Sequence, residues 1–84
     1  MEEYNKWMRQ SKHDLKIAEY NFKGYFFDSC IFYCQQAVEK SLKALLIKKE
    51  GKLLKIHDLI ILGRKINLPE KFFKKINELN SAYI

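Results

Sequence analysis

Proline occurs once in 84 residues, glycine three times and threonine not at all, and Val38 is the sole valine. So little turn punctuation, and so few β-branched residues other than Ile, argue against a multi-stranded sheet and leave helices as the default. No apolar run approaches the 18 or so residues of a membrane span. The opening Met1-Glu2-Glu3-Tyr4-Asn5-Lys6-Trp7 lacks the basic, apolar, small-residue order of a secretory signal. A cytoplasmic protein is the simplest expectation. Also missing are Glu-x-x-His, His-Glu-x-x-His, a Gly-rich phosphate loop and a cysteine nucleophile in a recognisable setting. The two cysteines, Cys30 and Cys34, stack on one helix face. Without a third Cys or a nearby His they cannot complete a tetrahedral site, so they read as small core residues, and no metal or cofactor is expected.

What is present is apolar enough to fold: 48% hydrophobic residues and 14% aromatics exclude a disordered basic tail. The length suits one domain over residues 1–84, with a radius of gyration of roughly 12 Å. A domain this small buries only about 60% of the surface its unfolded chain exposes, which favours self-association or a bound partner. The net charge of +6 is carried almost wholly by Lys. Beside so many Ile and Asn, such a bias arises from codon composition or growth at high temperature without any polyanionic partner, so charge alone points only weakly to nucleic acid.

Between Tyr4 and Phe22, the residues Tyr4, Trp7, Met8, Ser11, Leu15, Ala18 and Phe22 recur at steps of three and four, one stripe on a helix of five turns. Gly24 is its expected C-terminal cap. A second helix is expected over 27–49, with Asp28 and Ser29 near its start, a stripe of Phe27, Cys30, Ile31, Cys34, Val38, Leu42 and Leu45 widened by Ala37 and Ala44, and Gly51 as its stop. Residues 52–56 connect to a short third helix opened by His57-Asp58-Leu59, with Asp58 in its first turn, and running to about Ile66. Asn67-Leu68-Pro69 ends it, and Pro69 suits the first turn of a fourth helix carrying Phe72, Phe73, Ile76, Leu79 and Tyr83. The expected fold is therefore all-α: a long antiparallel helix hairpin plus two shorter helices, with Trp7, Leu15, Ile31, Val38, Leu42 and Leu45 inside. Because the last helix reaches Ile84 with no cap, Gly or polar tail, the domain is expected to continue beyond it.

Three clusters carry potential chemistry. Opposite the first helix's stripe stand Arg9, His13, Lys16 and Tyr20. An Arg beside a His suits metal-independent RNA cleavage, in which the imidazole moves the 2′-hydroxyl proton and the guanidinium steadies the phosphate. The bland alternative is a solvated helix back. On the second helix, Gln36, Glu39, Lys40 and Lys43 interleave with Phe32, Tyr33 and Ile47, a mixture that fits a partner interface or an oligonucleotide groove. Lys40 and Lys43 suit phosphates, although Glu39 lies four residues before Lys43 and so suits a simple ion pair. His57 and Arg64, seven apart, form a second His and Arg pair, and a His at a helix entrance also commonly satisfies backbone groups. Ile17, Tyr20, Phe32 and Ile47, lying off the two core stripes, are the expected dimer or partner interface.

Trp7, Asp14-Leu15, Ala18, the run Gln35-Gln36-Ala37-Val38-Glu39-Lys40-Ser41-Leu42-Lys43-Ala44-Leu45-Leu46, and His57-Asp58-Leu59 together resemble the HEPN family of small prokaryotic helical-bundle domains. The resemblance implies a bundle on a long antiparallel helix pair, commonly dimeric. It also implies a setting beside a small nucleotidyltransferase, in pairs that look like toxin and antitoxin modules. Many nuclease members carry Arg, four to six residues, then His. Here His13 follows Arg9 after three intervening residues and no His follows Arg64. The family's bundle usually continues past a Tyr such as Tyr83 through an Arg-Tyr-Pro segment. The leading expectation is thus a non-catalytic nucleotide- or RNA-associated interaction module, a homodimer with a nucleotidyltransferase partner, contacting its ligand through Lys40, Lys43, His57 and Arg64. The alternative is a metal-independent ribonuclease using His57, Arg64, Arg9 or His13, completed by dimerisation or by residues beyond Ile84.

Overall fold

A computed structural model describes residues 2–82. Four α-helices follow one another, α1 (Glu2–Lys23), α2 (Phe27–Glu50), α3 (Leu59–Lys65) and α4 (Phe73–Ala82), with a 3-10 turn at Glu70–Phe72 and no strand among the described residues. The radius of gyration is 12.8 Å. The helix pair α1 and α2 makes the most extensive contact, and α3 and α4 pack on each other and on α2. Tyr83, expected on the fourth helix, and Ile84 lie outside the described residues.

Each helix end has an identifiable cause. Tyr25 adopts φ 62°. The Phe26 N–H donates to Asn21 O at 2.8 Å and the Tyr25 N–H to Phe22 O at 3.1 Å, the paired bonds that close a helix on a left-handed residue. The left-handed residue is thus Tyr25, not Gly24 as expected. Its strain is offset by an edge contact of its ring on Phe27, with centroids 6.0 Å apart. Gly24 matters for room instead, since a Cβ there would meet the Phe26 ring at 2.9 Å. Helix α2 stops at Gly51, φ 75°, whose N–H donates to Ile47 O at 2.7 Å. Asp58 is the N-cap of α3 rather than a first-turn residue, its Oδ1 accepting from the Ile60 and Ile61 N–H groups at 2.8 and 3.1 Å. Asn67, φ 57°, ends α3 with the same paired bonds, Leu68 N–H to Gly63 O and Asn67 N–H to Arg64 O. The 3-10 turn that follows Pro69 displaces the start of α4 to Phe73.

The apolar core sits at one end of the hairpin. Leu42 and Leu46 of α2 meet Leu59 and Leu62 of α3 and Ile76 of α4, with Val38, Leu54, Ile56, Ile60, Ile66, Leu68 and Leu79 packed around them. Gly63 is buried, and a Cβ there would lie 2.9 Å from the Phe73 ring, so its lack of a side chain permits the close approach of α3 to α4.

Two expected core residues are not core. Leu15 is 48% exposed and Leu45 39% exposed, while Trp7, Ile31 and Val38 are half-buried. Helix α1 faces α2 through Tyr4, Trp7, Ser11, Asp14, Ala18 and Asn21, a strict alternation of three and four that turns Leu15 and Phe22 outward. Small buried residues on both helices, Ser11 and Ala18 on α1 and Ala37 and Ala44 on α2, leave little apolar bulk in this seam.

Leu42→Ala should therefore lower unfolding free energy by about 2 to 5 kcal/mol through lost transfer energy and a cavity. Leu45→Ala should cost below about 1 kcal/mol, because much of that side chain already meets water. Urea denaturation of both variants checks the assignment; equal losses would contradict it.

Candidate functional site

The seam between α1 and α2 is polar, and it holds most of the residues that carry chemistry. Ser11 Oγ donates to the buried carbonyl of Ala37 at 2.6 Å. One turn on, the buried Asp14 carboxylate lies with Oδ2 2.6 Å from Lys40 Nζ. On the next stretch of α2, Glu39 and Lys43 are 8% and 5% exposed. Lys43 Nζ donates to Glu39 Oε2 at 3.0 Å and lies 5.6 Å from the Trp7 ring centroid. The same Glu39 Oε2 is 2.9 Å from His57 Nδ1. Two charges this deep are tolerated because each is the other's hydrogen-bond partner.

With a carboxylate as acceptor, the hydrogen of a neutral His57 is assigned to Nδ1, which leaves Nε2 as the basic nitrogen. The His57 side chain is 78% exposed, open to solvent. This is the arrangement of a general base oriented by an acid. What it lacks nearby is a guanidinium, for Arg64 is committed elsewhere: Nη1 and Nη2 donate to the two Glu70 oxygens at 2.7 and 3.1 Å. Its guanidinium carbon also sits 3.8 Å from the Phe73 ring centroid. The hydrogen bond to Glu70 raises the Arg64 pKa further, and the same bond from Arg64 holds the Glu70 carboxyl below its usual range. Both groups are fully exposed, so this is a screened surface pair that orients Arg64 more than it stabilises the fold.

Arg9 and His13 lie on the outward side of α1. With Lys6, Gln10, Asp14 and Lys40 they line an open groove of about 420 Å³. Lys6, Arg9 and His13 have no hydrogen bond or ion pair among the described residues.

The structure thus brings Lys43 and His57 together on Glu39, sets Lys40 beside Arg9 and His13, and ties Arg64 to a different acid. The α2 face bearing Glu39 and Lys43 was expected to be opposite the core, yet both are buried, because α1 covers them from one side and the 51–58 connection returns over them. Of the expected interface residues, Ile47 is buried and offers no free surface, Ile17 and Phe32 are half-buried, and Tyr20 is exposed. Asp14 went unnoticed in the sequence as a functional neighbour of Lys40; its signal was its place in the three-four alternation of α1.

A family model described as the HEPN domain matches residues 4–84. The chain belongs to the HEPN family. No curated protein and no solved structure gives a significant match. HEPN membership ties this bundle to nucleotide- or RNA-related modules and ribonucleases, and of the residues that carry the resemblance, Glu39, Lys43 and His57 meet on one carboxylate. Among the described residues of this HEPN chain no group of three or more His, Cys, Asp and Glu could hold a metal ion, and no helix is long and apolar enough to cross a membrane. Cys30 and Cys34 border a second, apolar groove with Leu15, Ala18 and Phe22. Burial pushes the Cys34 thiol up, and the neighbouring Cys30 adds to the shift.

Lys43→Met should destabilise the fold by about 3 kcal/mol, because it leaves Glu39 buried with only His57 opposite. The double variant Glu39→Met with Lys43→Met should recover most of that loss, and a urea double-mutant cycle tests the coupling. For Cys34, a raised pKa means less thiolate at pH 8. Its alkylation by iodoacetamide should run slower than that of a free cysteine peptide and catch up as pH rises above the shifted value.

Proposed function

We propose that this HEPN chain is a non-catalytic, nucleotide- or RNA-associated interaction module that works beside a small nucleotidyltransferase in a toxin-antitoxin-like pair in a prokaryotic cytoplasm. The observation that carries the non-catalytic reading is the separate commitment of the two candidate catalytic groups, His57 to Glu39 and Arg64 to Glu70. Metal-independent cleavage needs an imidazole and a cation within reach of one phosphate. The Arg9 and His13 pair sits in an open groove, where water weakens the electrostatic help a transition state needs.

Self-association belongs to the same reading. The exposed apolar residues Leu15, Phe22, Phe26 and Phe27 at the hairpin end, continuous with the groove over Cys30 and Cys34, are a better dimer or partner face than Ile17, Tyr20, Phe32 and Ile47, since Ile47 is already covered. One observation favours the ribonuclease alternative: His57 is oriented by Glu39 with its side chain largely open, so a cation supplied by a second copy or by residues beyond Ile84 would complete a site.

Incubation of the purified chain with single-stranded RNA in chelator separates the two. The expected result is binding without cleavage. Robust cleavage that disappears in His57→Ala or His13→Ala overturns the module reading and identifies the base.

A further inference from the structure

We infer that the groove between the outer face of α1 and Lys40 of α2 is a phosphate-binding site that recognises phosphate groups without reading bases. The inference deepens the nucleotide- or RNA-associated reading above, and rests on it, by assigning the ligand chemistry to a place that neither the His57 nor the Arg64 neighbourhood supplies.

Lys6, Arg9, Gln10 and His13 stand at i, i+3, i+4 and i+7 of one helix, which puts them within an arc of about 100° and along about 10 Å of axis. They present an ammonium, a guanidinium fork, an amide and an imidazole to one open groove of about 420 Å³. The fork is the donor best matched to two oxygens of one phosphate. Of the two arginines in the sequence, Arg64 is bound bidentately by Glu70 and stacked on Phe73, whereas Arg9 has no acid partner.

The carboxylate in the groove's lining belongs to Asp14, and it faces Lys40 Nζ at 2.6 Å. That pair has two consequences. It neutralises the acid, so Lys6 and Arg9 remain uncompensated, and it fixes the Lys40 ammonium at the groove's edge before any ligand arrives, removing part of the ordering cost of binding. Three other lysines are engaged elsewhere: Lys43 is buried on Glu39, Lys49 donates to Lys65 O, and Lys48 lies over the Tyr4 ring. No Phe, Tyr or Trp side chain lines the groove. A base would find no large ring to stack on, only the small His13 imidazole and the Arg9 plane, and stacking on large aromatic rings is the usual source of affinity for unpaired nucleotides. The ligand is therefore the phosphate itself, supplied by a nucleic-acid backbone or by a free polyphosphate.

The test uses the whole chain, two probes and two double variants of equal charge. Inorganic tripolyphosphate and a single-stranded RNA are titrated separately, with binding followed by amide chemical shifts and calorimetry. Lys6→Gln with Arg9→Gln removes the uncompensated cations; both residues are exposed and unpaired, and circular dichroism checks that helicity is unchanged. Lys74→Gln with Lys75→Gln removes the same charge from exposed positions on α4. Shifts should concentrate at residues 6–13 and 40 with both probes. The groove variant should bind at least tenfold more weakly and lower the salt slope for RNA by about 1.4, whereas the α4 variant stays within twofold of the parent. Equal losses in the two variants, or saturable RNA binding with no shifts in the groove from either probe, overturn the site while leaving the RNA-associated reading intact. Tripolyphosphate in the groove with RNA bound elsewhere or not at all supports the site and assigns it to free polyphosphate, and the absence of any RNA binding counts against the RNA reading. Silence with both probes overturns both.

Discussion

One carboxylate oxygen, Glu39 Oε2, anchors the return of the chain onto its central helix. It accepts Lys43 from its own helix and His57 from the end of the 51–58 connection. The next two residues then act in order. Asp58 caps α3 through Oδ1, and Leu59 enters the core fully buried. Three consecutive side chains thus perform a latch, a cap and a hydrophobic anchor. Because α3 has only seven residues, too few to hold together as an isolated helix, its existence depends on this fixed entry and on the packing that follows. The His-Asp-Leu tripeptide is legible as architecture before it is legible as chemistry.

That priority affects how titratable residues should be interpreted. Buried Glu39 and Lys43 look like site residues by burial alone, but their mutual bond satisfies them, and the partly exposed His57 is the one member with a ring nitrogen left for a ligand. Lys40 differs in kind from Lys43, three residues away. It reaches across the seam to Asp14 of α1 and keeps its ammonium at a groove edge instead of under a covering helix. A basic run that reads as uniform along the sequence is divided by the helix geometry into a structural cation and a positioned surface cation.

The helix content and the order of elements were legible because local signals agreed: Gly51 at a left-handed stop, Asn67 before Pro69, and the His-Asp entrance to α3. The face of α1 was not, because Leu15 and Phe22 are more hydrophobic than Asp14 and Asn21 one position away. Following hydropathy rotated the stripe by about half of one residue's 100° turn, while Tyr4, Trp7, Ser11 and Ala18 belong to both faces. The three-four alternation through Ser11 and Ala18 favours close approach of backbones over apolar bulk, a signal that a hydrophobicity count discards. Tyr25 takes the closing role expected of Gly24 for a related reason: the ring of Tyr25 gains Phe27, and the missing Cβ of Gly24 gives Phe26 its space. Of the candidate site, the Glu39 and Lys43 pair could be read from spacing, whereas His57 on Glu39 and Arg64 on Glu70 depend on the turns around α3 and could not.

The polar seam has a further consequence for the molecule's surface. Helix α1 directs Ser11 and Asp14 inward and Leu15 and Phe22 outward, so the apolar material absent from the α1 and α2 contact lies on the outside, beside Cys30 and Cys34. The cationic groove occupies the end of α1 nearer its N-terminus, while the apolar groove lies toward the hairpin turn. The two proposed roles, recognition of phosphate and burial of apolar area in an assembly, therefore fall at separate places along one helix instead of competing for a face. Asp14 and Leu15, adjacent in sequence, border one groove each, so the residue choice at these two positions assigns the two roles.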